Sequence, residues 1–451
     1  MLGLLSDGAR CHEYHEGLLG FLKDSDGEVY DLIIRECERL QETLQLGAAE
    51  NRCSRAVLAA LGSVAQNKTA EGFPGGRFHG GCEVVDDVER LAVTRARKAF
   101  KAQYANVQPH SGTTANQIVI SAVLGKAAKI LSMALDQGGH YSHGSSDSFT
   151  GKFFSAESYY VDRASFLLDY ECIRNKALEV RPKLIICGAS AYPRTIDFEK
   201  FRQIADEAGA LLLADISHIS GLVAAGAHPS PIDHAHFTTT STYKSGGPRG
   251  GLILMGKDCN RKTSVAGREG ALWEHIECMT FPGMQGTPYL NNIAAKAVFF
   301  RETLSDEYRT RQFKIVENAK SLADNFSGMG YDVVTGGTDN HMILINVANL
   351  KEGLTGAVAQ RCLEDCGIVL DRAMLPYDAA PPKLASGIRL GTHIVTSNGM
   401  GPKEMGIIPE LIDGVLKKVE VQSAVNYHLD EPSKEEKRRQ VRDLCQKFPI
   451  D

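Results

Sequence analysis

Apolar residues fall along this chain in short runs separated by segments of helical spacing. Residues 183–188 (KLIICG) and 211–215 (LLLAD) read as buried strands. Residues 237–242 (FTTTST) are rich in β-branched side chains and read as a third, ended by the Gly-Gly-Pro that follows. Between the first two, residues 198–209 carry the spacing of a helix. Residues 104–124 read strand, turn, helix, with Ile118, Val119 and Val123 on the helix. Strands alternating with helices predict an α/β fold, with a mostly parallel central sheet and helices on both faces. Residues 28–46 predict an amphipathic helix, residues 301–328 a long charged helix, and residues 430–447 a charged helix or a solvated end. The expected division is a helical arm (1–50), a large domain (51–300) and a smaller α+β C-terminal domain (301–451).

Composition narrows the class. At 451 residues the chain exceeds one ordinary core, which supports two lobes. Hydrophobic content of 43% and charged content of 23% are those of a soluble globular protein. A net charge of −5 without a dominant block argues against nucleic acid as a partner. No apolar run approaches a membrane span, and the N-terminus lacks the basic and apolar regions of a signal peptide. The 11 cysteines show no paired spacing, and Cys362 and Cys366 read as packed thiols, so no metal site is expected. An odd count without an export signal points to the reducing cytoplasm.

Two residues then stand out. Lys244 falls where the 237–242 strand gives way to a loop, the usual place for chemistry in an open α/β sheet. Flanked by hydroxyls rather than charges, it can be a desolvated amine able to form a Schiff base; the alternative is a surface lysine. Asp215 ends a buried strand, where an acid needs a partner or serves as a helix cap. Pyridoxal phosphate would partner both, since its ring nitrogen needs a carboxylate and its aldehyde a lysine. Ser111-Gly112-Thr113 would open a helix whose N-terminus suits a phosphate, or would be an ordinary cap.

The blocks NKTAEGFPGGRFHGGCE (67–83), YANVQPHSGTTAN (104–116), GGHYSHG (138–144), ADISHISGLVAAGAHPSP (214–231), FPGMQGTP (281–288), GGTDNH (336–341) and SGIRLGT (386–392), with the lysine stretch, come in one order. They span roughly residues 30 to 420, and in them the chain resembles the serine hydroxymethyltransferase family. That resemblance implies fold type I of the pyridoxal-phosphate enzymes and pyridoxal 5'-phosphate as cofactor. It implies Lys244 as the attachment point, Asp215 at the ring nitrogen, and His140 stacked on the ring. Ser111, Gly112 and Thr113 would hold the phosphate, with Ser190 and His218 nearby. Glu71 would be the acid/base for the substrate hydroxyl, and Arg389 the clamp for the α-carboxylate. Gly286 and Thr287 would face a neighbouring subunit's cofactor phosphate, so a homodimer, or a tetramer, with active sites at the interface is implied.

Several positions depart from the family pattern. Ala49 stands where the family has a serine. Thr69, Phe78 and His79 stand where it has tyrosines, with Thr69 and His79 at the substrate mouth. Tyr243 replaces a histidine beside the lysine, and Ala373 an asparagine that binds the pterin. Tyr243 keeps a hydrogen-bonding ring but cannot become cationic near neutral pH. Taken on sequence alone, these changes favour a folate-independent aldolase or transaldolase. It would cleave the Cα–Cβ bond of threonine-like β-hydroxy amino acids and pass glycine to another aldehyde, with tetrahydrofolate in doubt. The alternative is serine hydroxymethyltransferase proper. A third class, a pyridoxal-phosphate protein that binds a partner without catalysis, is opposed by the intact Lys244, Asp215, His140 and Arg389.

Overall fold

A computed structural model describes residues 19–125, 128–265 and 267–450. The first part of the expected arm, and with it the stretch read for a signal peptide, lies outside the described residues. The chain divides into two compact units. The larger is Ala49–Val316 with Leu375–Tyr377; the smaller joins Met1–Ala48, Glu317–Met374 and Asp378–Asp451.

The larger unit is built on seven strands: β1 (Tyr104–Asn106), β2 (Lys129–Met133), β3 (Ser155–Tyr159), β4 (Leu184–Cys187), β5 (Leu211–Asp215), β6 (Phe237–Ser241) and β7 (Gly251–Met255). Their order across the sheet is β1-β7-β6-β5-β4-β2-β3. Neighbours from β6 to β3 run parallel, and β7 is antiparallel to both β6 and β1. Residues of β4 and β5 read as continuous apolar runs because both faces of the sheet are covered. Alternate side chains serve opposite faces. Ile185 and Leu212 join the core that contains Phe198 and Phe201 of helix α3 (Phe198–Ala208). Ile186 and Leu213 join Ile118 and Val119 of helix α2 (Gly112–Val123) on the other side. Helix α1 (Glu83–Phe100) and helix α4 (Leu290–Glu302) complete the parts used below. This is the expected α/β fold of type I, with Asp215 and Ser241 at the carboxyl ends of adjacent parallel strands.

The smaller unit carries an antiparallel sheet of β8 (Asp332–Val333), β9 (Met342–Asn346), β10 (Asp371–Ala373) and β11 (Gly387–Gly391), in the order β8-β9-β11-β10. Cys362 and Cys366 are packed in its core. The helix expected over 28–46 runs only from Gly27 to Glu42, capped by the Asp26 carboxylate. Leu44 and Gln45 instead pair in parallel with Ile368 and Val369, so a tertiary strand pairing overrides the local periodicity. The helix expected over 301–328 is two, α4 and Asp306–Gly328, because Ser305 Oγ accepts from Tyr308 N and starts a new helix. The tail is helical over Glu431–Cys445 and buries Val441, Leu444 and Cys445, so it is not a solvated end. Among the described residues no helix is long and apolar enough to cross a membrane.

Candidate active site

After β6 the chain makes one tight turn, Tyr243–Ser245, closed by Gly246 at φ +98°. Lys244 is buried in it, 8% exposed, and its Nζ donates to Ser241 Oγ at 3.1 Å. The backbone around it is tied down. Asn51 Nδ2 donates to the Lys244 carbonyl at 3.1 Å, and the Tyr308 hydroxyl to the Ser245 carbonyl at 3.1 Å. The Tyr243 ring centroid lies 4.6 Å from Lys244 Nζ and 4.4 Å from the Arg249 guanidinium carbon. Its quadrupole attracts both without taking a proton from either.

Asp215 has the partners its burial demands. Asn116 Nδ2 donates to Oδ2 at 2.8 Å, His143 Nε2 lies 2.9 Å from the same oxygen, and Ser217 donates to Oδ1 from its backbone at 3.0 Å and its hydroxyl at 2.6 Å. Burial opposes the charge, yet the hydrogen bond and charge of His143, the charge of His140 and the Asn116 amide hold the carboxyl well below its usual range. His140 is driven the other way. Burial first, then repulsion from His143 and Lys244, lower its pKa to about 4. Its Nδ1 accepts from the Ser142 backbone N–H at 3.2 Å, so at neutral pH the ring is an uncharged plate.

These groups share one cavity of about 220 Å³. It gathers Ser111, Gly112, Thr113, His140, Ser190, Asp215, His218, Tyr243 and Lys244 from the sequence-derived set, and adds His143 and Arg249. Ser111 caps α2 by accepting from Thr114 N at 3.0 Å, which leaves the Gly112 and Thr113 N–H groups at the helix start. Ser190 is placed by its backbone N–H, which donates to the Gly138 carbonyl at 2.7 Å.

Glu71 lies elsewhere in the larger unit, at the start of a short hairpin (Gly72–Phe73 with Gly76–Arg77). Gly72 must be glycine there: its φ is +94°, and a Cβ would stand 2.5 Å from the Gly76 carbonyl oxygen. His79 Nε2 approaches Glu71 Oε2 to 3.4 Å. A Cβ on Gly286 would meet Glu71 Oε1 at 3.0 Å, so the 281–287 segment packs beside this carboxylate. Phe78 stacks edge-on against Phe281 at 5.5 Å and stays exposed. Thr287 Oγ1 is buried without a hydrogen-bond partner, and Thr69 is exposed. Arg389 sits on β11 of the smaller unit, where its Nη2 donates to Asp371 Oδ2 at 2.7 Å.

A profile described as serine hydroxymethyltransferase matches residues 22–412. A curated relative named "Serine hydroxymethyltransferase", from Borrelia duttonii (strain Ly), is 47% identical over 393 residues, covering 87% of this chain and 94% of the relative. The chain belongs to the serine hydroxymethyltransferase family.

Enzymes of the serine hydroxymethyltransferase family use pyridoxal 5'-phosphate. The residues present fit that group: a buried lysine, a buried ionised carboxylate and the open N-terminus of a 12-residue helix converge on one cavity. Asn116, His143 and Ser217, which hold Asp215, escaped the sequence reading. Asn116 ends YANVQPHSGTTAN and His143 is the last histidine of GGHYSHG, but nothing local ties either to an acid about 70 to 100 residues away. Arg249 follows the Gly-Gly-Pro that ends the 237–242 strand and carries no local signal of its own.

Proposed function

We propose that the protein catalyses the reaction for which its family is named, moving the β-carbon of serine to tetrahydrofolate and leaving glycine. The observation that carries this is the single cavity that joins Lys244 and Asp215 to the α2 N-terminus, in a chain 47% identical to a relative of that name. The sequence alone favoured a folate-independent aldolase. The 47% identity to a relative named serine hydroxymethyltransferase supports the folate-dependent reaction instead.

Bound pyridoxal phosphate would act as an electron sink for the pair left at Cα. Ser111, Gly112 and Thr113 would take its phosphate at the helix start. Lys244 would hold its aldehyde carbon, and the buried Asp215 would keep its ring nitrogen protonated. His140 would lie against the ring as a neutral plate, with Ser190 and His218 at its edge. Arg389 offers a planar fork for the substrate α-carboxylate, which orients the bond to be broken. Glu71 would accept the β-hydroxyl proton as the Cα–Cβ bond breaks and the β-carbon departs as an aldehyde. His79 and Thr69 would border the substrate, and Tyr243 would shield the lysine amine. Gly286 and Thr287 would serve a second subunit's phosphate, which makes the working unit at least a dimer; the unpartnered Thr287 hydroxyl supports this.

A second reading, threonine cleavage without folate, is supported by His79 beside Glu71 and by Phe78 in place of a tyrosine. Initial rates of glycine formation from L-serine and L-threonine, each with and without tetrahydrofolate, separate the two. Serine turnover that requires folate and exceeds threonine cleavage supports hydroxymethyl transfer. Fast acetaldehyde release from threonine without folate, with negligible serine turnover, overturns it.

A further inference from the structure

A buried ion cluster lies against the hairpin that carries Glu71, and none of the steps above uses it. Arg77 Nη1 donates to the carbonyls of Ala70 at 3.0 Å and Gly72 at 2.6 Å, the residues on either side of Glu71. The Glu71 carbonyl itself accepts from Phe78 N at 3.0 Å. Three successive carbonyls are thus committed. Arg77 is anchored in turn by two carboxylates of α1, Asp86 Oδ1 at 2.8 Å and Glu89 Oε2 at 2.5 Å, with all three side chains under 10% exposed. Asp86 also accepts from Gly75 N, at the hairpin's tip, at 2.7 Å.

Gln108 extends the cluster towards the other loops. Its Nε2 donates to the Gly72 carbonyl at 3.0 Å and to Glu89 Oε1 at 2.8 Å. Its carbonyl accepts from Gln285 Nε2 at 3.1 Å, and Gln285 Oε1 accepts from His110 N at 3.1 Å. One network therefore joins the Glu71 hairpin, the turn at Gly286 and the segment that leads into Ser111.

Burying one guanidinium with two carboxylates is costly, and apolar packing of the same volume is often at least as stable. Stability alone is a poor reason for the arrangement. What an apolar cluster could not supply is directional donors to the carbonyls flanking one catalytic carboxylate. We propose that Arg77, backed by Asp86, Glu89 and Gln108, is the positioning device for Glu71 and sets the rate of the Cα–Cβ step through it. This rests on the acid/base reading of Glu71. Among the described residues, His79 on the same hairpin segment pairs with Glu71, the 281–287 segment contains no titratable side chain, and Asp86 and Glu89 pair with Arg77.

The test is a pair of double-mutant cycles in the full-length holoenzyme. Arg77→Lys keeps the charge and loses the fork; Gln108→Met removes one donor to Gly72 and stands in should Arg77→Lys fail to fold. Each is made alone and with Glu71→Gln. Misplacing a catalytic group by about 1 Å can cost about 100-fold, so kcat for serine cleavage is expected to fall about 10- to 100-fold in the single variants. KM for serine and the affinity for pyridoxal phosphate, read by its absorbance, stay unchanged. In the Glu71→Gln background the same changes cost almost nothing. Equal losses in both backgrounds, or a matching loss of cofactor affinity, overturn the proposal while leaving Glu71's role intact. If Glu71→Gln alone leaves cleavage intact, the acid/base reading falls, and the proposal with it.

Discussion

His143 Nε2 lies 2.9 Å from Asp215 Oδ2, so the carboxylate at the end of β5 is braced by a side chain from the loop after β2. Asn116 bonds the same oxygen at 2.8 Å, and its own carbonyl oxygen accepts from Thr239 Oγ1 at 2.6 Å. The acid is fixed from three neighbouring elements. A buried carboxylate left short of a partner costs about 1–3 kcal/mol. His143→Ala is therefore expected to weaken pyridoxal phosphate binding about 10- to 100-fold, measured by equilibrium titration. Unchanged affinity would remove His143 from the site.

Tyr243 presents its ring face, not its hydroxyl, to Lys244 and Arg249. Tyr243→Phe is expected to retain activity within about threefold, because the quadrupole survives. Tyr243→His restores the family's residue and adds a group that titrates near neutrality, so the pH profile of kcat should gain a limb near pH 6 to 7. A profile that is identical for all three proteins would show that this ring plays no part in proton handling.

His79 Nε2 lies 3.4 Å from Glu71 Oε2, and under the proposed function this pair would border the substrate where the family pattern has a tyrosine. His79→Tyr is expected to raise the ratio of folate-dependent serine turnover to threonine cleavage by about three- to tenfold, since a pocket contact of this size tunes rather than creates specificity. Parallel rate assays on both substrates give the ratio. A ratio that falls would make His79 the residue that supports serine.

Acid lability follows from buried histidines. Burial, with repulsion from Arg202 and Arg261, lowers His236 to about 4; burial alone lowers His393 to about 3. His140 is held at about 4 as well. Between the ordinary histidine value and these values the unfolded chain binds more protons than the folded one. Stability therefore rises with pH across this window and is lost as pH falls from about 6.5 to about 4. Asp215, held low, adds loss of the same sign only below the ordinary carboxylate range. The thermal midpoint of the apoenzyme should drop steadily from about pH 7 to about pH 4.5, and His236→Gln should flatten the slope. A midpoint independent of pH in this range would contradict the assignment.

The sheet and its chemistry could be read early because they are local. Runs such as LIIC and LLLAD are apolar on both faces, and a lysine after a strand carries its own signal. What stayed hidden depends on contacts distant in sequence. Leu44 and Gln45 leave the helical pattern for partners at 368–369. Arg77 looks like one more charge in a glycine-rich loop until α1 supplies Asp86 and Glu89. His143 follows His140 by three residues, yet only the fold brings it to Asp215. The substitutions at Thr69, Phe78 and His79 point to one reaction and the 47% identity to a relative named serine hydroxymethyltransferase to the other, so the choice between them belongs to the rate assays.

The central claim is that Lys244 carries the cofactor. A second buried lysine, Lys296, offers a competing amine, since burial lowers it to about 7. Its Nζ, however, already donates to the carbonyls of Val107 at 2.6 Å, Pro109 at 3.2 Å and Gly251 at 2.8 Å, whereas Lys244 lines the cavity with Asp215. Borohydride reduction of the enzyme with pyridoxal phosphate, followed by peptide mass mapping, decides between them. A pyridoxyl group on Lys244 is the expected result; a group on Lys296, with Lys244 unmodified, would contradict it.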